Sequence, residues 1–505
     1  MKKEHATLQL KYLGINTSKA AVIYMREDCH ICRSEGFVAE TRVQVTLNNQ
    51  SIIATINTTE LASNLLKQHE AGLSRYAWDL LKANVGDEIS ISHPKVLDSL
   101  SYIRSKLYGN ELKTQEINQI VGDVLSGQLS DIHIAMFLAG SVGNRLTRQE
   151  IFDLTYAMVQ TGNRLKWPSP LVIDKHCVGG LPGNRTTLIV VPIVTAFGLM
   201  MPKTSSRAIT SPAGTADTME IFAPVNLDIK AMQKVVEQEN GCIIWGGAVS
   251  LSPADDLLIR IERSMDLDSE GQMVASILSK KIAAGSTHIV IDVPIGPSAK
   301  VRSASNADIL KHYLEDIAKE FSIKLQVVFT DGTQPVGRGI GPALEAKDVW
   351  SVLSCDRSAP QDLRERALTL AGQLLECSPD VSPGQGTQIA ESLLNNGAAL
   401  KKFQAICKAQ GGLFNIPSAP YTKTITSKIK GKVAGIDNRS LAQLAKLAGA
   451  PKSKSAGIEL LTPLNKLVEK GEPLFIVHAE TKGELSYSLT FLQQRTNIIH
   501  IEEAI

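Results

Sequence analysis

The stretch from Leu171 to Phe222, LVIDKHCVGGLPGNRTTLIVVPIVTAFGLMMPKTSSRAITSPAGTADTMEIF, constrains the fold more than any other part of the chain. An apolar run ending at Ile173 predicts a short buried strand. A glycine-rich turn follows, and then a long apolar segment that ends near Gly198, which suits a helix C-cap. This is a strand, glycine loop, helix unit. Gly179, Gly180 and Gly183 let the backbone turn its N–H groups toward one point, and the N-terminus of the next helix adds partial positive charge. Such a loop is built for an anion. The same reading has Lys175 and His176 leaving the strand just before the loop and Asn184, Arg185, Thr186 and Thr187 opening the helix. Cationic and hydroxyl donors then converge on one spot, and phosphate is the expected guest.

The spacing matches neither the GxxxxGK[ST] phosphate loop nor the GxGxxG dinucleotide fingerprint. On pattern alone, a tight turn closing an α/β unit without a ligand is the alternative. The second half of the stretch argues against it. After a short apolar strand come Lys203, Thr204, Ser205, Ser206, Arg207, Thr210, Ser211 and Thr215, a hydroxyl-rich and doubly cationic segment. Gly214 within it permits close backbone approach.

At 505 residues the chain has room for about three domains, and 43% hydrophobic with 21% charged residues suits a large globular core. A net charge of +2 and 5% aromatic residues give no basis for nucleic-acid binding. The N-terminal MKKEHATLQLKYLG has no continuous apolar core for a secretory signal, and Leu188 to Pro202 falls short of the roughly 18 to 20 residues that span a bilayer. A cytoplasmic protein without a membrane segment is expected. Seven cysteines at 29, 32, 177, 242, 355, 377 and 407 form neither a disulfide framework nor paired metal knuckles. Cys29 and Cys32 make a lone CxxC, read as packed or surface thiols rather than a metal or redox site.

Four regions are expected. Residues 1–92 alternate apolar and polar positions, as in Val43, Val45, Leu47 and Gly86 to Ile91, which predicts a small β-rich domain. Residues 93–166 change to helical spacing and form a helical lobe joined by about 253–285. There Thr147-Arg148-Gln149-Glu150 has the form of a capping box, and His133 reads as a packed or surface residue. Residues 167–420 alternate strands (Cys242 to Trp245, His288 to Val293, Leu325 to Phe329) with helices, which predicts a mainly parallel sheet carrying the phosphate site at its strand C-termini. Residues 421–505 read as a compact α+β domain. Within the helix from Met273 to Ala284, Ser276 and Lys280 are four apart and share one face. For Asp331 to Pro342, a second glycine-rich loop, ligand contact and simple loop chemistry stay equally open.

The segments DKHCVGG, KTSSRAITSPAGTAD, WGGAVSLSPADD, MVASILSKK, GPALEA, KVAGIDNRSL and SAGIEL follow one another from Asp174 to Leu460, within a resemblance that spans about residues 95 to 500. In this order they resemble the thymidine/pyrimidine-nucleoside phosphorylase family, including its long AMP phosphorylase branch. The resemblance implies that Lys175, Gly179, Thr187, Ser205 and Thr215 bind phosphate. It also implies that His176, Ser276, Lys280 and, through a one-residue gap, Arg263 contact the base. Asp268 falls at the proton-donor position of the AMP branch. Gly180, Ser206, Arg207, Ala208, Ile209, Thr210, Ser211, Thr215, Ser276 and Lys300 fall at its nucleotide-binding positions. Cys177 departs from the serine usual at its place, and a thiol is the poorer donor.

The leaving base separates the branches. A pyrimidine departs as an anion stabilised by cationic groups, whereas adenine needs a general acid. The N-terminal domain and SSRAITSPAGTAD resemble the AMP branch, and Lys175 directly before His176 resembles the thymidine enzymes. The resemblance therefore implies phosphorolysis of thymidine to thymine and 2-deoxyribose 1-phosphate, with AMP phosphorolysis to adenine and ribose 1,5-bisphosphate as the alternative. A catalytically silent oligomeric binding protein, to which Cys177 lends support, is the alternative of another class. Phosphate is a co-substrate, no metal or organic cofactor is expected, and the resemblance to the long branch implies a homodimer or higher homo-oligomer, with the N-terminal domain serving assembly.

Overall fold

The computed structural model describes residues 7–208, 211–265, 267, 269–495 and 497–503, the Arg263 side chain excepted. The chain divides into two compact units, Met1–Ser105 with Gly122–Ile134, and Lys106–Val121 with Ala135–Ile505.

In the first unit, six strands, β1 (Thr7–Tyr12), β2 (Val22–Arg26), β3 (Arg42–Leu47), β4 (Gln50–Thr59), β5 (Glu70–Leu73) and β6 (Glu88–Ser92), close a barrel in the order β1-β5-β2-β4-β3-β6. Alternation along β3 sends Val43, Val45 and Leu47 inward, where they meet Leu8, Leu10, Ile23, Met25 and Ile56. Closure leaves no sheet edge to pair with another chain. Both CxxC thiols are packed into this core. Cys29 caps the short His30–Glu35 helix, its Sγ accepting the Cys32 N–H at 3.2 Å.

In the second unit the Arg148–Gln160 helix carries the capping box that the sequence predicts. Thr147 accepts from the Glu150 N–H, and Glu150 accepts from the Thr147 N–H at 2.8 Å. The Glu150 carboxylate also holds buried Lys106 at 2.6 Å, so the cap neutralises a cation that would otherwise be costly to bury. The Glu270–Ala283 helix packs along this helix.

The sheet that positions the site is parallel. Strands β7 (Ile173–Cys177), β10 (His288–Ile295) and β11 (Lys324–Asp331) lie in the order β11-β10-β7. Strands β8 (Met201–Ser205) and β9 (Gly241–Trp245) pair in parallel, and a Val172–Met200 bridge ties them to the β7 side. Two strand boundaries differ from the sequence expectation. β7 begins at Ile173 instead of ending there, so Lys175 and His176 lie within it, and β8 likewise contains Lys203, Thr204 and Ser205. Asp174 and Lys203 are accommodated in these strands as opposite charges on neighbouring elements, whereas Lys175 is held by the hydroxyls of Thr186 and Thr187.

The Thr187–Ala196 helix is buried on every side, with Leu188 to Val191, Ile193 and Val194 fully inaccessible. Such a helix reads as continuously apolar because it has no solvent face. The C-terminal part forms two small antiparallel sheets around the Asn438–Leu447 helix and the Lys482–Gln494 helix. Among the described residues no helix is long and apolar enough to cross a membrane.

Candidate active site

β7 is the spine of the site, because alternation sends its side chains into two different charge systems. On one face Asp174 is buried between two lysines from different elements. Lys203 Nζ of β8 lies 3.2 Å from Oδ1 and Lys281 Nζ of the Glu270–Ala283 helix 2.8 Å from Oδ2. Ser286 Oγ donates to Oδ2 at 3.3 Å. Burial raises the Asp174 pKa, and the two ammonium groups more than offset it, so the carboxyl stays below its usual range. Burial pulls Lys203 well down.

His176 is two residues along the same strand. Burial, followed by the positive charges of Lys281, Lys203, Lys175 and Lys280, pushes its pKa well below the ordinary histidine value. The ring is neutral at neutral pH, with one N–H and one lone pair to offer.

On the other face Lys175 is fully buried, and among the described residues it has no carboxylate at ion-pair distance. Its Nζ donates to Thr186 Oγ1 at 2.6 Å and Thr187 Oγ1 at 3.5 Å. Burial lowers its pKa, and the negative charge of nearby Asp292 counters that. Asn184 Nδ2 donates to Asp292 Oδ2 at 3.0 Å and to Cys177 Sγ at 3.1 Å. Burial, then Asp292, push the thiol up to about 12, so Cys177 is a neutral thiol here.

The loop between strand and helix is fixed by close approach. Gly180 has φ +82°, and a Cβ there would lie 2.6 Å from the Lys300 backbone nitrogen, so Lys300 sits directly against the glycine turn. Gly183, at φ +75°, presses on the Val336 carbonyl of the second glycine-rich loop, whose Val336 N–H donates to Pro182 O at 3.1 Å. The second loop thus acts here as a buttress of the first.

The hydroxyl-rich segment folds back on itself. Asp217 Oδ2 accepts the Ala208 N–H at 2.6 Å and the Gly214 N–H at 2.8 Å, which holds Ser206 to Ala208 over Gly214 and Thr215. Ser205, at the end of β8, is level with Trp245 of β9. Its Oγ is buried and has no hydrogen-bond partner among the described residues. That leaves the Ser205 hydroxyl able to bond a ligand. Thr215 Oγ1 accepts from Arg185 Nη1 at 3.1 Å, and Arg185 Nε is ion-paired with Glu345 Oε2.

Arg207, which the resemblance assigns to the substrate, is already engaged. Its guanidinium pairs with Asp217 at 3.1 Å and Glu220 at 2.8 Å, reaches Asn226 at 3.2 Å and lies over the Trp245 ring. Ser211 Oγ donates to the Ala213 carbonyl. Ser276 and Lys280 share a face as expected, and that face meets Asp255. Ser276 Oγ donates to Asp255 Oδ2 at 3.0 Å, and Lys280 Nζ lies 2.6 Å from the same oxygen and 3.7 Å from Asp256. Burial works to lower the Lys280 pKa, and the two carboxylates raise it above the ordinary value. Ile209, Thr210, Asp268 and the Arg263 side chain lie outside the described residues; the Arg263 backbone belongs to the Pro253–Met265 helix. Among the described residues no group of three His, Cys, Asp or Glu side chains is disposed to hold a metal ion.

The sequence matches the helical bundle domain of a glycosyl transferase family over residues 100–162 and the a/b domain of that family over 169–400. It also matches a pyrimidine nucleoside phosphorylase C-terminal domain over 432–498. The chain belongs to this glycosyl transferase family. A relative from Legionella pneumophila (strain Corby), named "Putative thymidine phosphorylase", is 62% identical over 502 residues, 99% of this chain and 97% of its own. One of the same name from Hahella chejuensis (strain KCTC 2396) is 55% identical over 98% of both chains. Among solved structures, anthranilate phosphoribosyltransferase from Thermus thermophilus superposes with a TM-score of 0.51 at 17% identity, covering 62% of this chain and 99% of its own. That likeness shows the shared fold: a helical lobe and an α/β domain with a parallel sheet.

Within this family site, Asp255, Asp217 and Glu345 are the residues that the sequence reading passed over. Each is the counter-ion of a cation that reading did name. The signal was present as the acidic first turn of the Pro253–Met265 helix and as Asp217 and Glu220 following Arg207.

Proposed function

We propose that the protein cleaves thymidine with inorganic phosphate, giving thymine and 2-deoxyribose 1-phosphate. Membership of the family makes it a pentosyltransferase that breaks a nucleoside N-glycosidic bond by phosphorolysis. Lys175 carries the phosphate assignment: a buried ammonium in the middle of a parallel strand, held by hydroxyls and, among the described residues, unmatched by a close carboxylate, is a cation reserved for an anion. Ser205, Thr187, Thr215 and the Gly179–Gly180 turn supply the remaining donors.

The nucleophile is a phosphate oxygen, which attacks C1′ as the bond to the base nitrogen breaks. The electron pair of that bond goes to the base. The enzyme must hold phosphate in line and stabilise the negative charge that grows on the base. Lys280, oriented by Asp255, and Ser276 face the base, and neutral His176 offers it one hydrogen bond. Thymidine is favoured over AMP by the full-length relatives that carry the name "Putative thymidine phosphorylase".

The decisive assay is phosphate-dependent release of free base from thymidine, uridine, adenosine and AMP, run with and without a chelator. Thymine release that requires phosphate and survives chelation is expected. Adenine released from AMP faster than thymine from thymidine overturns the substrate, and no release from any of the four supports a silent binding protein. The reading places the protein in the cytoplasm as a homo-oligomer, which gel filtration and fractionation test.

A further inference from the structure

Arg185 belongs to the PGNRTT turn that opens the buried helix, yet its guanidinium does not point its charge at solvent. The side chain is 9% exposed and spans two elements. Nε is ion-paired with Glu345 of the Pro342–Leu353 helix, and Nη1 donates to Thr215 Oγ1 at 3.1 Å. Glu345 is itself held, its Oε1 by the Gly341 N–H at 3.2 Å and its Oε2 by Thr218 Oγ1 at 3.2 Å. The guanidinium is therefore placed by the charge of Glu345 on one side and by its hydrogen bond to Thr215 on the other.

A hydroxyl has one proton. Because Thr215 Oγ1 receives a hydrogen from Arg185, its own O–H is turned elsewhere. It is also made a stronger donor, since hydrogen bonds in series polarise one another. Lys175 stands behind Thr187 more loosely, its Nζ 3.5 Å from Oγ1 and 2.6 Å from Thr186 Oγ1. The two cations thus sit behind two threonine hydroxyls on different segments.

We propose that Arg185 is a positioning residue of the phosphate site, which acts through Thr215 by turning and polarising its hydroxyl, with Glu345 as the anchor that sets the guanidinium. This rests on the phosphate reading of Thr215 and goes beyond it by naming the pair that makes this threonine a donor. Burial raises the Glu345 pKa to about 7, and Arg185, the Gly341 N–H and Thr218 pull it back down.

The test is a double-mutant cycle on steady-state phosphate kinetics of the full-length enzyme. Arg185→Lys keeps the charge but cannot satisfy Glu345 and Thr215 together. It should raise the phosphate KM about 3- to 10-fold, the worth of one lost hydrogen bond, with kcat and the thymidine KM changed less than about twofold. In a Thr215→Val background the same change should cost nothing further. An equal rise in both backgrounds, or no rise in the parent enzyme, overturns the proposal. If Thr215→Val alone leaves the phosphate KM unchanged, it is the phosphate reading of Thr215 that has failed. Should Arg185→Lys not fold, as judged by its thermal melt, Glu345→Gln preserves side-chain shape and carries the same cycle with the same outcomes.

Discussion

Asp174 and Lys175 are adjacent in β7 and both buried, yet they do not pair: Asp174 closes on Lys203 and Lys281, while Lys175 donates to Thr186 and Thr187. Strand alternation keeps the two charge systems apart. One is closed on itself, and the other has a cation to offer.

The open system predicts a phosphate defect. Lys175→Met keeps the buried stem and removes the charge. The loss of a charge-assisted hydrogen bond, worth roughly 1.5 to 3 kcal/mol, should raise the phosphate KM by about one to two decades. Initial rates against phosphate at saturating thymidine measure it. An unchanged phosphate KM moves the anion elsewhere.

For the closed system the prediction is a stability defect. Asp174→Asn leaves two buried ammonium groups without their carboxylate, and breaking a buried ion cluster on one side costs about 3 to 5 kcal/mol. Urea midpoints should drop accordingly, and adding Lys203→Met to Asp174→Asn should recover part of the loss. If Asp174→Asn unfolds at the parent midpoint, the cluster contributes nothing to folding.

These two systems also mark where the sequence was legible. Strand, glycine loop and buried helix follow from apolar runs and turn residues, and the capping box at Thr147 follows from four letters. The strand frames did not follow, because Asp174-Lys175-His176 and Lys203-Thr204-Ser205 look like loop. Nothing in a local window reveals that Lys281, about a hundred residues on, neutralises Asp174. The N-terminal alternation gave strands but not their closure, which depends on β1 pairing with both β5 and β6. Arg207 and Lys280 read as ligands by type; the acidic residues that pair with them stand in the sequence, but which cation each one meets is decided by how the helices pack.

His176 predicts an altered titration. Its folded pKa lies well below that of an exposed histidine, so below the ordinary value the unfolded chain binds a proton that the native one does not. Its contribution to stability is therefore lost as pH falls through the ordinary histidine range, and the ring stays neutral in the native enzyme. In ¹⁵N-histidine NMR, the resonance absent from His176→Gln should keep its neutral shifts down to about pH 6. A titration at or above the ordinary value contradicts the four-lysine environment.

The substrate itself is tested by Asp268 and Lys280. If adenine in AMP were the leaving group, Asp268→Asn would remove the proton that base needs and cut kcat by about 10² to 10⁴, the span of general acid catalysis. Thymine leaves as a delocalised anion, so with thymidine the same change should cost little. Lys280→Ala should then be the damaging substitution, because it removes the cation 2.6 Å from Asp255 and leaves that carboxylate facing a base that is becoming negative. Thymidine turnover that survives Asp268→Asn and collapses with Lys280→Ala is the expected ranking. The reverse ranking, with AMP turned over faster than thymidine by the unmodified enzyme, assigns the protein to the nucleotide branch.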